Sequence, residues 1–347
     1  MARARSAAAL AAAVLVTGLG GCGEADRPEP DPGGGTGGGT AGASVPFELV
    51  LTDDVAVSPD GRRVLADCWE GICTWDVATG ALTLVPDRNQ VAVAPDWSTV
   101  ATVDGGDVVL EGLPDGAPVR TFRGLDDAEV TDGSPLTAVA FSPDGQLLAA
   151  AGLDGRVVVW SVDDGAEQAA FTAAYAPQTL VFSPDGSRLA LAGGGPVEVR
   201  DTADGQAVAT VQGSGEAGAL AWSPDGRALL GPGAGDVPTV WEAPAFEPVE
   251  ELPGVRLHEL AVSPDGRTVA VTAFDTTAVR LWRPRALAGA GGVRSLVGHV
   301  ADPGAVAFAP DGTRLYSVAA DDGVRAWDVA SGRPVARTFE VPEGPDR

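Results

Sequence analysis

Apolar and polar residues alternate along most of this chain in short runs, and the runs come in fours. The stretch 136–172 shows this best. Leu136–Phe141 is an apolar run, Gln146–Ala151 follows it, Arg156–Trp160 is the third, and Ala166–Thr172 the fourth, with polar residues more frequent in the last. Runs of this length match the usual extent of a strand in a folded sheet. The breaks between them are turn sequences: Ser142-Pro143-Asp144-Gly145, then Asp154-Gly155, then Ser161–Gly165. Proline presets the backbone for the second position of a β-turn, and glycine supplies positive φ where the turn needs it. The pattern predicts four antiparallel strands, called a to d from first to last.

The unit recurs. Close copies of Phe141–Gly145 stand at Val57–Gly61, Phe182–Gly186, Trp222–Gly226, Val262–Gly266 and Phe308–Gly312, and Val93–Trp97 keeps the turn but not its glycine. Their aspartates fall at 60, 96, 144, 185, 225, 265 and 311, with a typical spacing near 40 residues. Such a period with four strands per unit predicts an all-β fold, a seven-bladed β-propeller of four-stranded antiparallel blades, over residues 45–340. Propellers usually complete one blade with strands from both chain ends. Pro46–Leu51 and Arg333–Glu340 are the two candidates for that last outer strand, and the N-terminal one is favoured.

Several third strands end in tryptophan. Trp75-Asp76 and Trp327-Asp328, the looser Trp160, Trp241 and Trp282, and Gly298-His299 ahead of a first strand together resemble the WD-repeat family. The resemblance implies a hydrogen-bonded tetrad of His, Ser or Thr, Asp and Trp in the better-kept blades. The seventh unit alone offers all four, as His299, Ser317, Asp321 and Trp327. Most other units lack the histidine and some lack the tryptophan. A related periplasmic propeller type, with similar Ser-Pro-Asp-Gly turns and no Trp-Asp, is the alternative.

Composition agrees with short strands and tight turns: 47 Gly, 27 Pro and 5% aromatic residues in 347. The net charge of −25 repels phosphate backbones and argues against a nucleic-acid partner. The N-terminus changes the picture further. Arg3 and Arg5 precede an apolar run, Ser6–Gly21, too short and small-sided for a membrane span, and it reads as an export signal. Its end, Leu19-Gly20-Gly21-Cys22, resembles the bacterial lipobox, which implies cleavage before Cys22 and a diacylglyceryl thioether on its sulfur. Residues 1–21 are then a lipoprotein signal peptide. Residues 22–44 are a lipidated, Gly- and Pro-rich tether with almost nothing to bury, reaching roughly 25 Å as a flexible coil. Residues 341–347 are a tail. The expected location is the outer face of the bacterial cytoplasmic membrane, touched through the lipid alone.

The remaining cysteines, Cys68 and Cys73, flank Trp69-Glu70-Gly71-Ile72, read as a hairpin tip. Disulfides persist outside the cytoplasm, and residues opposed across a hairpin come within bonding range, so a Cys68–Cys73 bridge is expected. Of the two histidines, His299 has the tetrad role and His258 is read as an interior or rim residue. No nucleophile–base–acid set, metal cluster or cofactor loop assembles, so a non-enzyme without cofactor is expected. The turn aspartates are read as caps of their own turns rather than calcium ligands.

Uniformity separates the two faces of the ring. The a–b and c–d turns, nearly constant, lie on one face; the d–a and b–c loops, which vary, lie on the other. The longest variable loop, Gly124–Pro135, carries Asp126, Asp127, Glu129 and Asp132, and Trp69 tips a b–c loop of the same face. These five residues are the candidate surface for an unidentified protein partner, on a lipid-anchored binding scaffold. A propeller enzyme or small-ligand or metal binder with its site at the ring axis is the first alternative. A periplasmic component of envelope assembly or transport is the second.

Overall fold

The computed structural model describes residues 51–68, 71–86, 92–104, 106–113, 116–123, 136–213, 219–274, 276–319 and 323–339. These residues form seven four-stranded antiparallel sheets, each built from four strands consecutive in sequence. The fold is a seven-bladed β-propeller. In blade three the strands are Leu136–Phe141, Leu147–Gly152, Arg156–Ser161 and Glu167–Thr172. Strand a is buried along its whole length, because it packs against both neighbouring blades, while strand d exposes most of its residues at the rim. That gradient explains why the inner runs read as continuously apolar and the outer ones as mixed.

Seven apolar clusters fill the seven seams between blades. Five of them share a tryptophan near the end of strand c, which points into the seam with the preceding blade. Trp160 lies among residues of blade two, Trp241 among those of blade four, Trp282 blade five, Trp327 blade six and Trp75 blade seven. Blade two carries Glu111 at the equivalent position, paired with Val100 as Trp160 pairs with Leu148. Its seam is filled instead by Trp97, which packs with Ala56 and Leu65 of blade one and Val93 and Val100 of its own blade. Trp97 does so from the turn position that holds glycine in the other copies, at φ 58°. A left-handed backbone is uncommon for a bulky side chain and costs about 1–3 kcal/mol. Burial of the indole in a seam otherwise lined by small aliphatic side chains offsets that cost.

The ring closes differently from the sequence expectation. The last blade takes its outer strand from the C-terminal segment, Arg333–Phe339, and the first blade opens with its own inner strand, Leu51–Val57. Among the described residues, blades one and seven meet through side chains: Val64, Cys73 and Trp75 against Tyr316, Val318 and Val324. Of the favoured N-terminal segment only Leu51 is described, and it pairs with Cys68 in blade one.

Candidate functional site

On the turn face, the Ser-Pro-Asp-Gly copies share one bonding scheme. The serine hydroxyl donates to the aspartate two residues on, at 2.6–2.7 Å in blades one, three, four, five and six. The same oxygen accepts the backbone N–H that starts strand b, as from Arg63 at 2.8 Å. The aspartate accepts a second backbone N–H, as from Arg62 at 3.0 Å. Blades two and seven have alanine in place of the serine, and there Ser98 and Thr313 supply the hydroxyl from beyond the turn. The aspartates are turn caps. The Ser58 hydroxyl in particular holds the Asp60 carboxyl below its usual range, and Ser183 does the same for Asp185.

The turns also touch one another. The glycines of six copies sit at φ 67–71°, and at all but Gly186 an added methyl group would lie within 4 Å of the proline of the preceding blade. A methyl group on Gly266 would meet Pro224 Cδ at 3.3 Å, and one on Gly312 would meet Pro264 Cδ at 3.6 Å. The constant turn is thus a contact between blades as well as a strand connector, which a repeat count alone does not reveal.

The structure brings three of the four tetrad residues together. Trp327 Nε1–H donates to Ser317 Oγ at 2.7 Å, and His299 Nε2 lies 2.6 Å from the same oxygen. Both rings and the hydroxyl are buried. Because Ser317 Oγ already accepts from the indole, its own proton is free to bond Nε2. Asp321 lies outside the described residues. In blade one the equivalent of Ser317 is Ala66, as the pairings Ser317 with Arg325 and Ala66 with Cys73 show, and Trp75 Nε1 is buried without a hydrogen-bond partner. In blade four, Arg200 stands where tryptophan would. It pairs with the buried Glu198 at 3.0 Å through Nε and lies 5.1 Å from the ring centre of Phe171 in blade three. Glu198 also accepts the Ala174 N–H at 3.1 Å. An ion pair with an aromatic lid has replaced the tryptophan plug there.

The candidate partner residues Trp69, Asp126, Asp127, Glu129 and Asp132, and the lipidation candidate Cys22, lie outside the described residues. What is described on the loop face includes a group at the mouth of blade six that sequence reasoning did not assemble. His258 stacks on Phe274 with ring centres 4.5 Å apart, and the Arg256 guanidinium lies 5.4 Å from the same ring. Arg256 also reaches the buried Asp236 of blade five at 3.6 Å. The available signal was the alternation Val255-Arg256-Leu257-His258, which puts Arg256 and His258 on one side of strand a.

The cysteine hairpin has a tighter register than expected. Cys68 pairs with Gly71, and Ala66 with Cys73, so the two cysteines share a face but sit diagonally rather than opposite. Cys73 is fully buried in the seam with blade seven and is disulfide-bonded. Among the described residues no group of three or more His, Cys, Asp and Glu is arranged to hold a metal ion, and no helix is long and apolar enough to cross a membrane.

Comparison with known proteins agrees with this architecture. Residues 116–161 and 292–328 match the WD40 family model, WD domain, G-beta repeat. Telomerase protein component 1 of Rattus norvegicus is 29% identical over 143 residues, 40% of this chain and 5% of that protein. Centriole proteome protein 16 of Chlamydomonas reinhardtii is 34% identical over 121 residues, 31% of this chain and 6% of that protein. The chain thus spans only a small fraction of these relatives. A chain in a crystal structure of the mitotic checkpoint complex superposes with a TM-score of 0.67 at 17% identity, covering 88% of this chain and 99% of that one. That likeness is one of fold. The chain is a seven-bladed β-propeller in which two segments match the WD40 repeat model.

Proposed function

We propose that this propeller is a non-enzymatic scaffold, held outside the cytoplasmic membrane by a lipid on Cys22, that presents its loop face to a protein partner. The observation that carries the reading is the contrast between its two faces. Hydroxyl-capped turns in proline–glycine contact stiffen one. The other offers Arg256, His258 and Phe274 at the mouth of blade six, residue types that anchor interfaces. Trp69 and the acidic residues Asp126, Asp127, Glu129 and Asp132 belong to the same face by chain topology, and we assign them to the partner surface. The bridge of Cys73 we assign to Cys68, which braces the Trp69 hairpin.

The reading is tested by capturing the full chain from solubilised membranes. Partner recovery should fall when Trp69→Ala is combined with neutralisation of Asp126, Asp127, Glu129 and Asp132. Unchanged recovery removes the proposed surface. The anchor has a separate readout: Cys22→Ser should release the protein from membranes, and its retention there places the anchor elsewhere.

A further inference from the structure

Strand d is the outermost strand of every blade, so one row of its backbone N–H and C=O groups has no partner within its own sheet. An open edge of that kind pairs with foreign strands unless a bulge, a proline or a charged side chain blocks it. Blades two, three, four, five and seven have a bulge there: strand d carries at least one extra residue opposite the end of strand c. In blade three, for example, Trp160 pairs with Glu167 but Val159 with Ala169. Proline is added at Pro118 in blade two, Pro248 in blade five and Pro334 in blade seven. Blade one has no bulge, and its outer strand, Leu82–Pro86, ends on proline.

Blade six has none of these guards. Its strand d, Val293–Val297, pairs with strand c residue for residue, from Trp282 with Val293 to Ala278 with Val297. The extra length that forms a bulge elsewhere is taken up by the connection, Arg283–Gly292, before strand d begins. That excursion is ordered by its own bonds, Gly289 N–H to Pro284 O at 2.9 Å and Gly291 N–H to Arg283 O at 3.0 Å. It is also pinned to blade five, where Glu250 Oε2 accepts the Ala286 N–H at 2.8 Å. The one charged residue of the strand, Arg294, is turned toward blade seven, where its guanidinium donates to Ala330 O at 2.6 Å. Leu296 points the same way and is fully buried in that seam. Val293, Ser295 and Val297 alternate with them on the other side of the strand, all exposed, Val293 at 48% and Val297 at 71%. A regular open edge thus carries two exposed β-branched side chains four residues apart.

We propose that this edge takes an extended segment of a partner protein as a fifth strand of blade six. The backbone of the segment bonds the free row of Val293–Val297. Two of its residues four apart, β-branched or aromatic, cover Val293 and Val297, with a small residue over Ser295 between them. In strand addition the main-chain bonds supply affinity and the alternate side chains supply selectivity. The net charge of −25 argues against a second copy as the occupant, because pairing two such edges sets two strongly acidic bodies side by side. The edge lies on the rim and is separate from the loop-face surface.

Random peptides displayed on phage and selected on the whole chain supply the probe. Enriched sequences should carry two β-branched or aromatic residues four apart with a small residue midway. Synthesised with a fluorescent label, they should lose at least tenfold in affinity by anisotropy on Val293→Lys/Val297→Lys, which gives the edge the charged guard it lacks. Both positions are exposed, so this variant should keep the parent melting temperature. Backbone pairing has its own readout. Alternate N–H groups of an added strand face the edge, so N-methylation of one alternate set should weaken binding at least tenfold more than methylation of the other. Absence of enrichment, equal affinity on the double lysine variant, or equal affinity of the two methylated sets overturns the proposal. So does a dimer of the parent in analytical ultracentrifugation that the double lysine variant abolishes, which gives the edge to a second copy.

Discussion

Replacing Ser317 with alanine removes one oxygen atom and leaves two buried polar groups without a partner. Trp327 Nε1–H loses its acceptor at 2.7 Å, and His299 Nε2 loses its neighbour at 2.6 Å. Neither ring reaches water, with His299 5% exposed and Trp327 0%. A buried donor or acceptor left unsatisfied costs about 1–3 kcal/mol. Blade one already tolerates an unpartnered indole at the same place, in Trp75, which puts the tryptophan share toward the low end. The expected loss is therefore about 2–4 kcal/mol, a large part of the 5–15 kcal/mol typical of a whole domain. Urea unfolding followed by tryptophan fluorescence measures it. A double-mutant cycle with His299→Phe then separates the shares. Once the imidazole is gone, Ser317→Ala should cost only about 1 kcal/mol, leaving a coupling above about 1 kcal/mol. A loss below about 0.5 kcal/mol, or an equal loss in the two backgrounds, would refute the reasoning. The hydroxyl would then be incidental to the seam.

Blade one supplies the reverse experiment: Ala66→Ser offers Trp75 the acceptor it lacks and should raise stability by about 0.5–1.5 kcal/mol in the same assay. Arg200→Ala should cost about 3 kcal/mol, because it strands the buried Glu198, and adding Glu198→Gln should recover part of that loss. Acid titration should report the turn caps. Asp60 and Asp185 have folded values below their ordinary ones, chiefly through the Ser58 and Ser183 hydroxyls. Their contribution is therefore complete above the unfolded value, near pH 4, and disappears as pH falls through the folded one. Ser58→Ala combined with Ser183→Ala should flatten the stability slope below about pH 4, and an unchanged slope would count against the caps.

The blade count was legible because one turn chemistry recurs, and a turn is a local event that a few residues specify by themselves. Ring closure was less legible because Pro46–Leu51 and Arg333–Glu340 have similar strand character, and what separates them is pairing with a distant partner. Blade two departs twice from the repeat, with Glu111 at the strand-c position that holds tryptophan elsewhere and Trp97 at the turn position that holds glycine. In space they are one substitution, since both positions address the seam with blade one. The cysteine register was not legible, because what sets it is the pairing of Cys68 with Gly71 and Ala66 with Cys73, which the apolar pattern on either side does not specify. The excursion in blade six was visible as extra length at Arg283–Gly292. Its meaning depends on Glu250, a neighbour that comes from another repeat.

Contiguous blades carry a consequence for how the molecule stands. The chain enters the ring at Leu51, the start of an inner strand, and leaves at Phe339, the end of an outer one. Both points are on the side of the d–a loops, the first near the hub and the second at the perimeter. Any tether at the N-terminus is therefore fastened close to the middle of the loop face, like a stalk under a parasol. On the anchored reading, that face looks down at the surface from which the stalk rises. A ligand of the loop face must then occupy the gap beneath the canopy, no taller than the stalk allows. On the same reading the turn face, with the Arg283–Gly292 excursion of blade six, looks outward.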